Sequence, residues 1–85
     1  MRVTIQLYAE SGNWADPTGT DCTKCDSMKD AIDQFHGWCM DVSQYSDEQD
    51  AKALIWKGHH DDVTDLYPDY EITVGPKGGY KVGKV

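Results

Sequence analysis

The chain has 85 residues, and its fifteen acidic residues outnumber its eight Lys and Arg residues, for a formal net charge of −7. We predict a single small domain over residues 1–85, because this length supports one modest core and argues against a substrate cleft between domains. The apolar fraction of 39 %, with three Trp and five Tyr, argues against wholesale disorder.

The first element in the chain is a strand over residues 3–9, VTIQLYA. Its apolar and polar residues alternate, so one face of the strand is apolar and packs on a core. Residues 10–21, ESGNWADPTGTD, are rich in turn-forming residues and predict a long loop. A short extended piece is expected next, around Cys22 to Cys25.

We predict a helix over residues 27–43. Asp26 or Ser27 can cap its first turn, and the pair Ser27 and Asp30 resembles a capping box. Apolar residues then recur at steps of three and four, which places on one face Met28, Ala31, Ile32, Phe35, Cys39 and Val42. The helix is therefore amphipathic.

Three strands are expected in the second half of the chain. Residues 51–58, AKALIWKG, have few charges in the middle, which is typical of a central strand with Trp56 in the core. Residues 70–75, YEITVG, alternate, and residues 76–79 form a hairpin turn. Residues 80–85, YKVGKV, are an edge strand whose lysines oppose edge-to-edge pairing.

The predicted element order is β-α-β-β-β. One amphipathic helix packs on one face of an antiparallel or mixed sheet of about four strands, which is a two-layer α+β fold. No repeat or low-complexity tract interrupts this pattern.

The charge is unevenly distributed along the chain. Residues 10–71 contain all fifteen acidic residues and four lysines, a local net charge of −11. The two ends hold four basic residues and no acidic side chain. A negative field repels phosphate backbones and attracts basic protein surfaces, so we expect a partner protein with a basic surface and no direct nucleic-acid binding.

The sequence indicates a soluble protein of the cytoplasm. No run approaches the roughly 20 apolar residues that cross a bilayer, and the N-terminus lacks the continuous apolar region of a signal peptide. Three cysteines are an odd number, which fits a reducing compartment better than a disulfide framework.

Four residues have the chemistry of a structural zinc site: Cys22, Cys25, His36 and Cys39. The predicted helix separates Cys25 from Cys39 by roughly 20 Å at 1.5 Å per residue, whereas zinc ligands meet at one point. A redox role for the Cys22-x-x-Cys25 pair would require a βαβ unit, and the element order provides none. We therefore expect no cofactor.

A second candidate metal site is the run His59, His60, Asp61 and Asp62, since imidazole and carboxylate groups bind divalent metals. Adjacent residues of an extended segment point in opposite directions, so at most one histidine and one aspartate converge. No nucleophile, base and orienting group can be assembled by spacing anywhere in the chain, which indicates a non-enzymatic protein.

This run opens an acidic connector, residues 59–71, that has two interpretations. The first is a solvated link with Tyr67 and Tyr70 packing inward, and the second is part of a protein-binding face. The loop residue Trp14 either folds back over the core or is an exposed aromatic anchor, and Trp38 lies at the rim or in the core. The candidate partner-binding residues are Trp14, Asp16, Asp61, Asp62, Asp65, Tyr67 and Asp69.

The second half of the chain, LIWKG…DDVTDLYPDYEITVGPKGGYKV, with VTIQLY and the Asp-Pro loop near the start, resembles small acidic accessory proteins encoded by phages of actinobacteria. The resemblance spans most of the chain and consists of structural motifs, so it carries over no catalytic residue. The cysteines and the His59-His60 pair depart from the family's pattern. The resemblance implies the cytoplasm of an infected or lysogenic bacterium, where very small proteins often bind a host protein.

Our leading hypothesis is a small non-enzymatic phage protein that binds a host protein through its acidic surface, as an inhibitor or modulator. A stronger version is DNA mimicry, with carboxylates in place of phosphates. One alternative is a metal-binding protein or metal-dependent enzyme that uses the residues from His59 to Asp62. Another is a structural homodimer built on the edge of the last strand or on the exposed sheet face, so the chain is expected to be a monomer or a homodimer.

Overall fold

The computed structural model describes residues 1–9, 20–42, 51–75 and 79–85. Their helix and strands are, in chain order, β1 (Val3–Ala9), β2 (Thr23–Cys25), α1 (Met28–Val42), β3 (Ala51–Lys57), β4 (Tyr70–Val74) and β5 (Tyr80–Lys84). The strands form one antiparallel sheet in the order β2-β1-β3-β4-β5, with α1 packed on one face. The predicted α+β fold is confirmed.

The sheet has five strands rather than about four. The short extended piece expected near Cys22 pairs with β1, which places Cys25 opposite Val3 and Thr23 opposite Ile5. The observed order is therefore β-β-α-β-β-β. Three residues are too short to show a strand period in the sequence, so only the pairing partner identifies β2 as a strand.

The long central pairing joins β1 to β3, with Ile5 opposite Ile55 and Leu7 opposite Ala53. Every second side chain of the sheet therefore points toward α1, as the alternation in β1 predicts. The buried core between the sheet and the helix consists of Val3, Ile5, Leu7, Cys25, Ala31, Phe35, Cys39, Ala53, Ile55 and Ile72. Burial of a large side chain such as Phe35, which is 0 % exposed, stabilises the fold by about 1.5–3 kcal/mol.

Helix α1 begins where the sequence predicts it. The Oγ of Ser27 accepts a hydrogen bond of 3.1 Å from the backbone N–H of Asp30. The carbonyl of the same serine accepts the N–H of Ala31 at 3.1 Å. Ser27 is thus the N-cap, and α1 begins one residue later than predicted and extends to Val42, the last residue described before the gap at 43–50.

Strand β3 is the central strand and β5 is an edge strand, as predicted. The hairpin between β4 and β5 is closed by the N–H of Gly75, which donates to the carbonyl of Gly79 at 2.7 Å. The three residues between them lie outside the described part of the chain. Within the described residues, no helix has the length and apolar character needed to cross a membrane.

Candidate functional site

The connector lies against the sheet face opposite α1. Gly58 precedes it with a φ of +81°, a conformation that favours glycine. The Oγ1 of Thr4, a side chain that is 0 % exposed, donates to the carbonyl of Gly58 at 2.8 Å and accepts the N–H of His60 at 2.9 Å. One buried hydroxyl on β1 therefore fixes the start of the connector.

Trp56 fixes the middle of the connector. Its ring lies on the face away from α1, beside Thr4 in the sheet register, and it is 4 % exposed. The indole Nε1–H donates to the carbonyl of Leu66 at 3.0 Å, and Val63 of the connector is also buried. The prediction that Trp56 is a core residue is confirmed, although it lies on the opposite side of the sheet from the main core.

The two histidines of the connector hydrogen-bond to different strands. The Nε2 of His59 bonds the carbonyl of Cys25 at 2.9 Å, and the Nε2 of His60 bonds the carbonyl of Lys57 at 2.7 Å. A carbonyl oxygen only accepts hydrogen bonds, so each Nε2 carries a proton and cannot bind a metal. In the part of the chain that the structure describes, no three His, Cys, Asp or Glu side chains are grouped to hold a metal ion.

Three carboxylates of the connector bond within the chain. Asp61 pairs with the Nζ of Lys24 on β2, and Asp62 Oδ1 accepts the hydroxyl and the N–H of Thr64, the latter at 2.9 Å. Asp69 Oδ2 accepts the N–H of Lys57 at 2.8 Å, at the end of β3. The hydrogen bond from Lys24 and its charge lower the pKa of Asp61, and the hydrogen bonds from Thr64 lower the pKa of Asp62.

The interpretation of the connector as a solvated link with inward tyrosines is wrong for Tyr67, which is 94 % exposed. The N–H of Leu66 donates to the carbonyl of Val63 at 3.1 Å, and the carbonyl of Leu66 accepts the indole N–H of Trp56. The backbone therefore faces the sheet at Leu66, and the side chain of Tyr67 points outward. Tyr70 is half-buried against the core, as expected. The connector thus presents the exposed ring of Tyr67 on a backbone that hydrogen bonds hold against the sheet.

Acidic side chains from two parts of the sequence lie on the two sides of β2, which is an edge strand. An open groove of about 360 Å³ along β2 is lined by Asp26, which precedes α1, and by Asp30 and Asp33 of the helix. On the other side of β2, Asp61 pairs with Lys24, and the negative charges of Asp62 and Asp21 act on Cys22. We call this surface the acidic edge, formed by Asp21, Asp26, Asp30, Asp33, Asp61 and Asp62.

The thiols of the acidic edge are poorly suited to redox or metal chemistry. Burial, reinforced by the neighbouring aspartates, raises the pKa of Cys22 and Cys25, so both remain protonated. Three residues of extended chain span roughly 10 Å, which exceeds the Cα separation of a disulfide. Cys39 is buried in α1, and His36 hydrogen-bonds the hydroxyl of Tyr80 on β5, at the sheet edge opposite β2. The four residues of the zinc hypothesis are therefore held apart.

The remaining predicted contact residues are partly placed. Asp65 is exposed on the connector, next to an open groove of about 290 Å³ lined by the residues from Thr64 to Tyr67. Trp38 is half-buried and lines a groove with Leu7, so it lies at the rim of the core. Trp14 and Asp16 lie outside the described residues.

Sequence reasoning grouped the acids of the connector but missed those of α1. The pairing of β2 with β1 places the start of the helix near the connector, and a three-residue strand shows no period from which the sequence could predict that pairing. Comparison with protein-family models, curated proteins and solved structures gives no match. The acidic edge and the exposed Tyr67 are therefore interpreted from their own geometry.

Proposed function

We propose that this protein is a non-enzymatic binding protein that engages a basic surface of a host protein through its acidic edge. The observation that supports this proposal best is that aspartates from the region of the helix start and from the connector lie on the two sides of one short edge strand. The setting is the bacterial cytoplasm, as the resemblance to phage accessory proteins implies. The effect on the host protein is inhibition or modulation.

Electrostatics explains how such an edge works. Charges within about 8 Å of each other remain coupled at physiological ionic strength, so grouped carboxylates produce a stronger field than the same charges dispersed. A concentrated field accelerates the encounter with an oppositely charged patch and disfavours partners of the same sign. DNA mimicry is the stronger version of the proposal, in which this edge occupies a groove that normally binds phosphates.

Tyr67 supplies the short-range part of the contact. It is 94 % exposed, and the neighbouring Leu66 is 43 % exposed. Exposed aromatic rings often provide much of the binding energy at protein interfaces, because they bury a large area with few rotatable bonds. The braces from Trp56 and Thr4 hold the connector backbone in place before binding. Little ordering of this backbone is then required when the partner arrives.

Charge reversal tests the proposal. The Asp33→Lys variant changes the acidic edge, and Glu71→Lys on β4 makes the same charge change elsewhere on the sheet. Partners captured from host lysate at low salt are identified with the wild-type chain, and their affinities are then measured for both variants. We expect Asp33→Lys to weaken binding by about threefold to tenfold and Glu71→Lys to change it much less.

Two results contradict the proposal. One is a partner whose affinity is equal for both variants, which would show that total charge and not the acidic edge matters. The other is binding that does not weaken as salt increases, because contacts between exposed charges are screened by salt.

A Tyr67→Ala variant measures the contribution of the aromatic ring to the binding free energy, which we expect to be at least about 1 kcal/mol.

A further inference from the structure

The outer edge of β5 has hydrogen-bonding groups directed away from the sheet. The N–H of Gly75 donates to the carbonyl of Gly79, and the N–H of Val85 donates to the carbonyl of Asp69. Every second residue from Gly79 to Val85 therefore directs its backbone N–H and C=O groups toward β4. In an antiparallel ladder the intervening residues face the other way, and Val82 is the central one. No strand among the described residues pairs with this side of β5.

Apolar side chains lie beside this edge on the face that carries α1. The helix packs chiefly on β1, β2 and β3, and it leaves Val82 39 % exposed on the same face, at the edge formed by β5. Tyr80 is half-buried there and touches Phe35 with ring centroids 5.3 Å apart. His36 of the helix also contacts Tyr80. Met40 lies one helical turn after His36 and is 59 % exposed.

We infer that the edge of β5 binds a second copy of this chain, in antiparallel register about a two-fold axis at Val82. This arrangement places Val82 against its equivalent and exchanges two backbone hydrogen bonds between them. The register then sets Tyr80 opposite Lys84 of the second copy and Lys81 opposite Gly83. No two lysines stand directly opposite each other. Lys81 and Lys84 therefore do not repel their equivalents across the axis at close range, although lysines on an edge strand normally oppose pairing.

The charge distribution favours this edge over the other. Strand β5 carries Lys81 and Lys84 and no acidic residue, whereas the acidic edge surrounds β2. Four strand spacings of about 4.8 Å separate the two edges by roughly 19 Å, which is more than the screening length of about 8 Å. For the described residues, two chains that meet at their β5 edges therefore keep their acidic edges far apart, which limits the repulsion between them.

The resulting dimer has a continuous sheet of ten strands with an acidic edge at each end. One strand edge and a few side chains bury less than the roughly 1,200 Å² of a standard interface, so the association is weak and concentration-dependent. It also strengthens with added salt, which screens repulsion between the chains, whereas partner binding at the acidic edge weakens. The dimer does not depend on the proposed function, and the two fail independently.

Site-directed crosslinking tests the register. At the axis, the two Cα atoms of a hydrogen-bonded pair lie about 5.5 Å apart, within disulfide range. The Val82→Cys variant should therefore form a covalent dimer under a mild oxidant such as oxidised glutathione. The adjacent Lys81→Cys variant is the matched control. In this register residue 81 of one copy is displaced along the strand by two residues from residue 81 of the other. The two Cα atoms therefore lie roughly 8 Å apart, and we expect at least about tenfold less dimer.

Light scattering provides the second measurement. The average mass of the wild-type chain should rise from one chain towards two between about 10 μM and 1 mM, the range expected for a small interface. Val82→Lys places like charges at the axis and should weaken the dimer by about tenfold or more. Leu66→Lys makes the same charge change on the connector and should leave the dimer unchanged.

Three results would overturn the inference. They are a wild-type mass of one chain at every concentration, equal crosslinking of the Val82→Cys and Lys81→Cys variants, and equal effects of Val82→Lys and Leu66→Lys on the dimer. Crosslinking of the Val82→Cys variant to a different host protein, while the wild-type chain remains monomeric, would also reject the dimer and assign the edge to another strand.

Discussion

At the scale of single residues, Thr4 joins parts of the chain that are more than fifty positions apart. Its hydroxyl is buried, donates to Gly58 and accepts from His60. Both partners are backbone groups at the start of the connector. A residue that alternation assigns to the polar face of a strand is therefore one of the buried anchors of the fold.

We predict that Thr4→Val destabilises the protein by about 2–4 kcal/mol. Valine has nearly the same shape but leaves one carbonyl and one N–H without their partner, and each costs about 1–3 kcal/mol when it stays buried. Urea unfolding measures the change. Thr73→Val, on the same face of the sheet, is the control and should cost less than 1 kcal/mol. Equal effects of the two substitutions would contradict the role assigned to Thr4.

The connector aspartates make stability depend on pH in the acid range. The pKa of Asp61 and of Asp62 lies below its ordinary value of 3.8 in the folded protein. As pH falls, the unfolded chain therefore binds these protons first. Their contribution to stability is complete above about pH 5 and is lost as pH falls through the lower folded-state values.

An Asp62→Asn variant checks this dependence. The amide can still accept from Thr64 but does not titrate, so its stability should fall less steeply than that of the wild-type chain between about pH 5 and pH 2. Urea unfolding at a series of pH values gives both slopes. Parallel slopes would mean that Asp62 does not contribute to acid unfolding.

At the scale of elements, α1 and β1 could be predicted because their signals are local. The helix repeats its apolar residues at steps of three and four, and Ser27 caps it through a group three residues away. The alternation over residues 3–9 is as direct. The position of the connector could not be predicted, since the groups that fix it, Thr4 and Cys25, are distant in sequence.

The helix cap gives a prediction at this scale. Ser27→Ala removes the acceptor for the N–H of Asp30 and should cost about 1 kcal/mol of folding free energy. Ser27→Asp keeps an acceptor at the same position and should retain most of the stability. Thermal unfolding of the three proteins orders them. If alanine and aspartate are equally destabilising, then the hydrogen bond is not the reason that serine is required.

The candidate site was only half predictable for the same reason. The connector acids are contiguous in sequence, and a net charge of −11 over residues 10–71 indicates a binding surface. In the sequence, Asp30 and Asp33 lie on the polar face of an amphipathic helix and Asp26 is a candidate cap, so none of the three indicates a binding surface. They join the site because a three-residue strand pairs with β1, which is a tertiary fact rather than a local one.

At the scale of the whole molecule, the charges of the described residues differ between the two edges of the sheet. The acidic edge lies at β2, and β5 at the opposite end carries lysines and no acid. Such a distribution opposes folding at low ionic strength, because like charges are brought together. We therefore expect added salt to stabilise the isolated protein.

Thermal unfolding between about 10 mM and 500 mM NaCl tests this expectation. The midpoint should rise with salt, and the rise should be smaller in the Asp26→Asn variant, where one charge of the acidic edge is removed. Glu71→Gln removes a charge away from that edge and should leave the salt dependence close to that of the wild-type chain. A midpoint that falls with salt would mean that attractive ion pairs outweigh the repulsion.

The pairing of β1 with β3 also has a kinetic consequence. Val3 stands opposite Lys57, so the centre of the sheet cannot form until both ends of a segment of more than fifty residues have met. Closing so long a loop costs entropy before any contact compensates for it, and folds dominated by distant contacts reach the native state slowly. During synthesis the first strand can therefore pair only with the three-residue β2 until β3 has been made.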